Sequence, residues 1–327
     1  MSSLLSRVGP AMLLVAVTCQ IRVVQTATDR SDERAVSAQG LVSEGPPSPG
    51  VSLGYASPEN IALKRHYREG EKLTYQMKGI NEAWHYEIQA SGVVKKDADG
   101  KYFEDYSWSK LISGGAEISL PPASINFRQQ VSLDPGLSPS VPDLTSVSPM
   151  LIGPITDMLT FYSDLWLAMK AGSLLHAGDH FYKKYGTAAS WADGTRVLVG
   201  QDSIDFDVTL AAVNRAEQTA TVVVRHVPPK QPDIKIAAEW MRTPVSDEAN
   251  NWEQVTKNAD GIYVAEIGKE TFDVDVQVSL VDGKILRATL DNLVVARKRD
   301  CTDAELTRCG DPVNHQVSRK VEINLEQ

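Results

Sequence analysis

On both sides of Asp282–Gly283, the stretch from Glu270 to Ala296, ETFDVDVQVSLVDGKILRATLDNLVVA, takes apolar and polar side chains in turn. Phe272, Val274, Val276, Val278 and Leu280 run up one arm, and Leu286, Ala288 and Leu290 return on the other. Neighbouring strand residues point to opposite faces, so this period of two predicts a hairpin with one buried face and one wet face. Each arm of about ten residues would reach roughly 33 Å, and strands of that length in one twisted sheet curl.

The same alternation recurs elsewhere. KLTYQM places Leu73, Tyr75 and Met77 on one face, and AWHYEIQA places Trp84, Tyr86, Ile88 and Ala90 on one face. Asp-Gly pairs at 99–100, 193–194, 260–261 and 282–283 punctuate the pattern, and they suit type I′ turns with two central residues at positive φ. Setting Gly200 against Gly268 aligns GQDSIDFDVTL with GKETFDVDVQV, so that Asp205 and Asp207 fall on Asp273 and Asp275. With the hairpin from Ala83 to Leu111, three related long hairpins are expected.

One segment breaks the period. In IGPITDMLTFYSDLWLAMKAGS, the residues Ile155, Met158, Leu159, Tyr162, Leu165, Trp166 and Met169 recur at helical spacing. Pro154 suits a first turn, Asp157 the positive N-terminal end and Gly172 the stop, which predicts a helix over 154–171. Phe161 and Leu167 lie off the main stripe, so the helix is expected between two apolar walls. The preceding SLDPGLSPSVPDLTSVSP is too rich in proline for a strand ladder and reads as a long connection across the sheet. The fold class is therefore mainly β: long antiparallel hairpins in a curved sheet or open half-barrel, with one principal amphipathic helix packed on it.

The ends set the compartment. Residues 1–27 carry Arg7 ahead of VGPAMLLVAV and finish in VVQTA, the layout of a secretory signal peptide; a lipoprotein signal ending at Cys19 is the weaker reading. Residues 28–57, rich in Ser, Pro and Gly without apolar period, read as a disordered tether. The remainder, 58–327, is expected to be a single β-rich domain, with a sub-division into 58–148 and 178–327 around the helix as the alternative. No later segment offers the roughly 20 apolar residues of a transmembrane span. Losing Arg7 and Arg22 with the signal takes the net charge from −9 to −11, a balance that repels nucleic acid and anionic lipid. Cys301 and Cys309 then remain as the only cysteines, and an exported pair bracketing seven residues is expected to form a local disulfide.

Catalytic signatures are sparse. His176 and His180 in LLHAGDHFY lack the further ligands and general base of a zinc site, and the stretch reads as helix exit, turn and strand start. No nucleophile elbow, P-loop or dinucleotide fingerprint occurs, so no catalytic residue, metal or cofactor is assigned. The pairs Asp205/Asp207 and Asp273/Asp275 suit a solvated strand face, or else the two acids of an envelope-polymer hydrolase. The aromatics Trp84, Tyr86, Tyr106, Trp108, Trp166, Trp240 and Trp252 suit core packing or a cavity lining.

The signal, the tether, the long Asp-Gly hairpins and the lone apolar helix together resemble the lipoprotein-localisation carriers of bacterial envelopes. The resemblance covers the pattern of residues 66–327 and carries over no motif residue. A secreted bacterial protein is expected, periplasmic or extracellular, with association with the outer membrane as a further option. The resemblance implies an unclosed barrel whose concave side, plugged by the helix, accepts an acyl chain or other apolar group; on the residues' own pattern, such a ligand is expected between the sheet and the helix around Phe161, Leu165, Trp166 and Met169. A purely structural module, its helix merely core, is the remaining reading.

Overall fold

The computed structural model describes residues 60–326 apart from 82–83, 141, 187–189, 193–195, 200–202, 228–237 and 259. The segments read as signal peptide and tether lie outside the described residues, as does the Asp193–Gly194 turn. Strands β1 (Lys72–Asn81), β2 (Trp84–Lys96) and β3 (Tyr102–Ser113) form a meander, followed by β4 (Ala116–Glu117), the short helix α1 (Pro122–Ile125) and β5 (Gln129–Val131). The long helix α2 (Pro149–Ala171) comes next. After it run β6 (His180–Gly186), β7 (Ser190–Ala192), β8 (Arg196–Val199), β9 (Ser203–Asn214) and β10 (Thr219–Val227). The chain ends in β11 (Trp252–Lys257), β12 (Tyr263–Ser279), β13 (Ile285–Cys301) and β14 (Val313–Leu325).

These strands build one curved, unclosed antiparallel sheet in the order β4-β3-β2-β1-β14-β13-β12-β10-β9-β6. The last described strand, β14, pairs with β1 on one side and β13 on the other, so the first and last described strands meet in mid-sheet. Alternation decides which face curls inward: Leu73, Tyr75 and Met77 of β1 and Phe272, Val274, Val276 and Val278 of β12 are all buried. Their intervening neighbours face water or the sheet's outer side.

Two glycines let the inner face approach the helix. A Cβ on Gly79 would lie 2.0 Å from the Tyr86 ring, and one on Gly92 would lie 2.4 Å from the Tyr106 ring. Each ring therefore covers a bare stretch of neighbouring strand, and its hydroxyl reaches toward α2.

Three details depart from the sequence reading. First, the described Asp-Gly turns are not type I′, because only Gly100, Gly261 and Gly283 take positive φ. Asp97 and Asn258 instead close three-residue loops with a left-handed glycine at the end, and the 279–284 loop is one residue longer. Second, a bulge at Gln277/Val278 skips Leu286 in the pairing, so Ile285 rather than Leu286 enters the core. Third, α2 begins at Pro149, one turn and more before Pro154. Pro149 takes the first-turn place that suits proline, and Pro154 sits inside the helix at the cost of one ladder hydrogen bond. The stop at Gly172, φ 64°, is as expected.

Asp157 accordingly lies in mid-helix rather than at its N-terminal end. It is buried, accepting a hydrogen bond from the Tyr86 hydroxyl at 3.1 Å and pairing with the guanidinium of Arg319 on β14. Two more polar fastenings tie α2 to the sheet. Nε2 of His226 on β10 stands 2.9 Å from Asp164, and the Tyr162 hydroxyl donates to Glu104 of β3. Between them the helix buries Leu151, Ile155, Met158, Phe161 and Leu165 completely, each contributing roughly 1.5–3 kcal/mol.

A second, smaller core lies beyond the main one. The halves of β12 pair differently, Phe272–Ser279 with β10 and Tyr263–Gly268 with β11. Around the second half Met241, Val255, Ala265, Ile267, Cys301 and Leu306 pack together. The Cys301–Cys309 disulfide closes this core from one side.

Candidate functional site

The polypeptide enters the fold as an extended strap, Asn60–Tyr67, laid across the end of the sheet where α2 stops. Arg65 fastens it. Its Nε donates to Glu104 at 3.2 Å, its Nη2 to Glu71 at 2.9 Å, and its guanidinium stands 4.4 Å from the centre of the Tyr67 ring. Lys284, at the tip of the β12–β13 hairpin, contacts Glu71 at 2.8 Å and Asp282 at 2.9 Å. Burial opposes the charged form of Glu71, but the bonds from Lys284 and Arg65 outweigh it and hold the carboxyl below its usual value. Glu104 also accepts the Tyr106 hydroxyl at 2.7 Å, and burial, reinforced by the Glu104 charge, keeps the phenols of Tyr75, Tyr106 and Tyr162 neutral.

Between this strap and the end of α2 opens a cleft of about 490 Å³. Its walls are largely apolar: Leu63 and Tyr67 of the strap, Leu133 and Pro135 of the loop after β5, and Ala168 and Met169 of α2. Beyond Ile61 lies a wider and more open cleft of about 640 Å³, bounded by Leu175, His176, Val213 and Arg215.

The sequence-predicted residues separate here. Met169 lines the cleft. Phe161 and Leu165 are fully buried in the main core, where they meet protein rather than open space. Trp166 is 7% exposed; its indole N–H donates to the Asp134 carbonyl at 3.0 Å, and Lys170 stands 4.4 Å over its ring. Tyr86, Tyr106 and Trp108 are core, Trp84 stacks on Tyr86, and Trp240 belongs to the smaller core. The side chain of Trp252 lies outside the described residues.

LLHAGDHFY is a helix exit, a turn and a strand start. Asp179 accepts the backbone N–H groups of Leu175 and His176 at 2.9 and 2.8 Å, and β6 opens at His180. The four strand aspartates belong to the face turned away from α2. Asp207 and Asp273 flank the same residue, Arg225 of β10, which pairs with Asp273 at 3.3 Å. Asp291 and Lys320 continue the row, 2.7 Å apart. Burial, and then the charge of Asp273, raises the Asp275 carboxyl above its ordinary value.

The strap was invisible to periodicity, since NIALKRHY shows neither helical nor strand alternation. Arg65 carried no signal of its own either; only the buried Glu104 opposite it, on an alternating strand, hinted that a cation must arrive from elsewhere. No protein-family model matches the sequence, and no curated protein matches it.

Proposed function

We propose that this is an exported, non-enzymatic binding or carrier-like protein of the bacterial envelope that holds an apolar or amphiphilic molecule in the cleft between the strap and the end of α2. The cleft itself carries the reading: about 490 Å³, within the size range of small-molecule sites, walled by Leu63, Tyr67, Leu133, Ala168 and Met169 beside a dense core. Export is supported by the signal-like residues 1–27 and by the Cys301–Cys309 disulfide, which persists in oxidising compartments. Among the described residues no helix is long and apolar enough to cross a membrane. The fold, an open curved antiparallel sheet with one long helix packed on it, leaves room beside the helix end for such a guest. A hydrolase would need two carboxylates facing one cleft at about 5–9.5 Å, and the paired aspartates instead form a charge row on the outer face.

Thermal unfolding of delipidated protein with fatty acids, lysophospholipids and diacyl phospholipids tests the reading. A ligand at a hundred times its Kd stabilises by about 2.7 kcal/mol, a readily measured rise in Tm. Leu63→Trp, which fills the cleft from its half-buried wall, should abolish that rise. A flat response across the whole panel would sink the proposal.

A further inference from the structure

Ile61 and Leu175 line both clefts, and the Ile61 N–H donates to the Leu175 carbonyl at 3.0 Å. That hydrogen bond and the two side chains thus stand where spaces of about 640 and 490 Å³ adjoin. The strap that supplies them is unevenly held. At Arg65 it is bolted by Glu104, Glu71 and the carbonyls of His66 and Asp282, and the His66 N–H donates to Asp282 at 2.8 Å. Tyr67 accepts the Leu133 N–H through its hydroxyl at 2.8 Å. On the other side of Arg65, Ala62 and Lys64 are exposed, Leu63 is half-buried, and among the described residues the Ile61 bond is the only backbone hydrogen bond that ties these four residues down.

We propose that Ile61–Lys64 is a gate pivoting on Arg65: when it lifts, the two clefts join into one groove, apolar at the α2 end and polar at the other, and this is how an elongated amphiphile enters. The inference rests on reading the cleft as a ligand site, and it adds how that site is opened. The chemistry fits an elongated guest. The joined groove would run from Leu133 and Met169 past Leu175 to Val213, an apolar floor with the polar groups of His176, Asn214 and Arg215 at its open end. An apolar tail would lie at the Met169 end and a polar head at the open end. Local opening of this kind draws on segments with few hydrogen bonds; Ile61–Lys64 is held by the one Ile61 bond and the buried Ile61 side chain, whereas His66 and Tyr67 are each fastened by a hydrogen bond of their own.

Two measurements on the full chain decide it. Amide exchange by NMR without ligand should show the Ile61 N–H exchanging at least tenfold faster than the His66 N–H, only five residues away but beyond the pivot. Equal protection of the two would overturn the gate, whatever the protein binds. Ile61→Cys with Leu175→Cys places two thiols on residues already joined through their backbones. Oxidised, this variant should take up a fluorescent fatty acid at least tenfold more slowly than after reduction, with wild type under the same reductant as control. Identical uptake rates in both redox states would also overturn it. Absence of probe binding in wild type and variant alike counts against the ligand reading instead, and the amide exchange rates then judge the gate alone.

Discussion

Nε2 of His226 lies 2.9 Å from Oδ2 of Asp164, so a histidine from the middle of the sheet and an aspartate from α2 meet inside the core. Phe272 stacks on the imidazole with centroids 4.3 Å apart, and Phe206 meets its edge at 4.6 Å. Burial removes water as an alternative partner for either group. Once one member is truncated, removing the other should therefore add little further cost. His226→Ala is expected to destabilise by about 3–5 kcal/mol, and His226→Ala with Asp164→Ala by clearly less than the two single losses together. A double-mutant cycle in urea measures this, and strict additivity would show that the pair is a bystander.

Glu253 on β11 is 4% exposed, and its Oε2 has no hydrogen-bond partner among the described residues. Burial pushes its carboxyl from 4.5 up to about 8. A raised carboxylate pKa means that the folded state holds a proton the unfolded chain has already lost. Stability should therefore fall as the pH climbs from about 4.5 to 8 and level off above it. Glu253→Gln should remove that slope and be more stable than wild type by about 1–3 kcal/mol at alkaline pH. Urea titrations at a series of pH values would expose an error here as parallel profiles for the two proteins.

Reduction of Cys301–Cys309 should act locally. The bridge closes the loop that holds Leu306, fully buried at φ 57°, and the Trp240 indole N–H donates to the Leu306 carbonyl at 3.0 Å. Chain entropy assigns so short a loop about 2–3 kcal/mol. Because the smaller core is separate from the one around α2, dithiothreitol should change the environment of Trp240 and leave the main core intact. A Trp240→Phe control isolates that fluorescence signal; a collapse of the whole sheet's amide protection on reduction would contradict it.

Sequence and structure agree wherever one rule decides a residue's side. Tyr75, Met77, Val274 and Val276 could be placed by alternation alone, because a strand has only two faces and one of them is wet. The offset that set Asp205 and Asp207 on Asp273 and Asp275 is right in phase but two residues out: β9 and β12 flank β10, and the pairing sets Asp207, not Asp205, level with Asp273 across Arg225. Bulges broke the rule at Leu286, and no local signal marks a bulge whose cause lies in a neighbouring strand. The helix was legible as apolar, but Asp157 and Asp164 were not legible as buried, since their partners Arg319 and His226 sit 162 and 62 residues away. The cleft was the least legible part. It is shaped by an aperiodic strap that acquires meaning only when Arg65 reaches Glu104.

Asp273 and Asp275 give the outer-face prediction. Both are exposed; the exposed Arg225 pairs with Asp273 and its charge also acts on Asp275. Exposed pairs of this kind contribute about 0–1 kcal/mol. Asp273→Asn and Asp275→Asn should each shift stability by no more than about 0.5 kcal/mol, with Asp275→Asn on the favourable side because it relieves burial and the repulsion from Asp273. Lipid-induced stabilisation should be untouched by either. Loss of ligand response in these variants would move the site to the outer face.

Gly283 joins the hairpin tip to the strap, and its replacement should separate fold from gate. Its φ is 72°, and a Cβ there would stand 2.1 Å from the Lys64 carbonyl oxygen and 2.6 Å from the Arg65 Cα. Gly100 has a similar φ of 79°, yet nothing lies within 4 Å of where its Cβ would be. Gly100→Ala therefore carries the conformational penalty alone, about 1–2 kcal/mol for a side chain in left-handed backbone. Gly283→Ala carries that penalty and a collision with backbone atoms, which cannot swing aside as a flexible side chain would. The strap must move, loosening Arg65 from Glu104 and Glu71. Gly283→Ala is expected to lose appreciably more stability than Gly100→Ala and to raise exchange at the His66 amide, which Gly100→Ala leaves slow. Equal losses with an unchanged His66 amide would mean that the strap does not depend on its crossing at the turn.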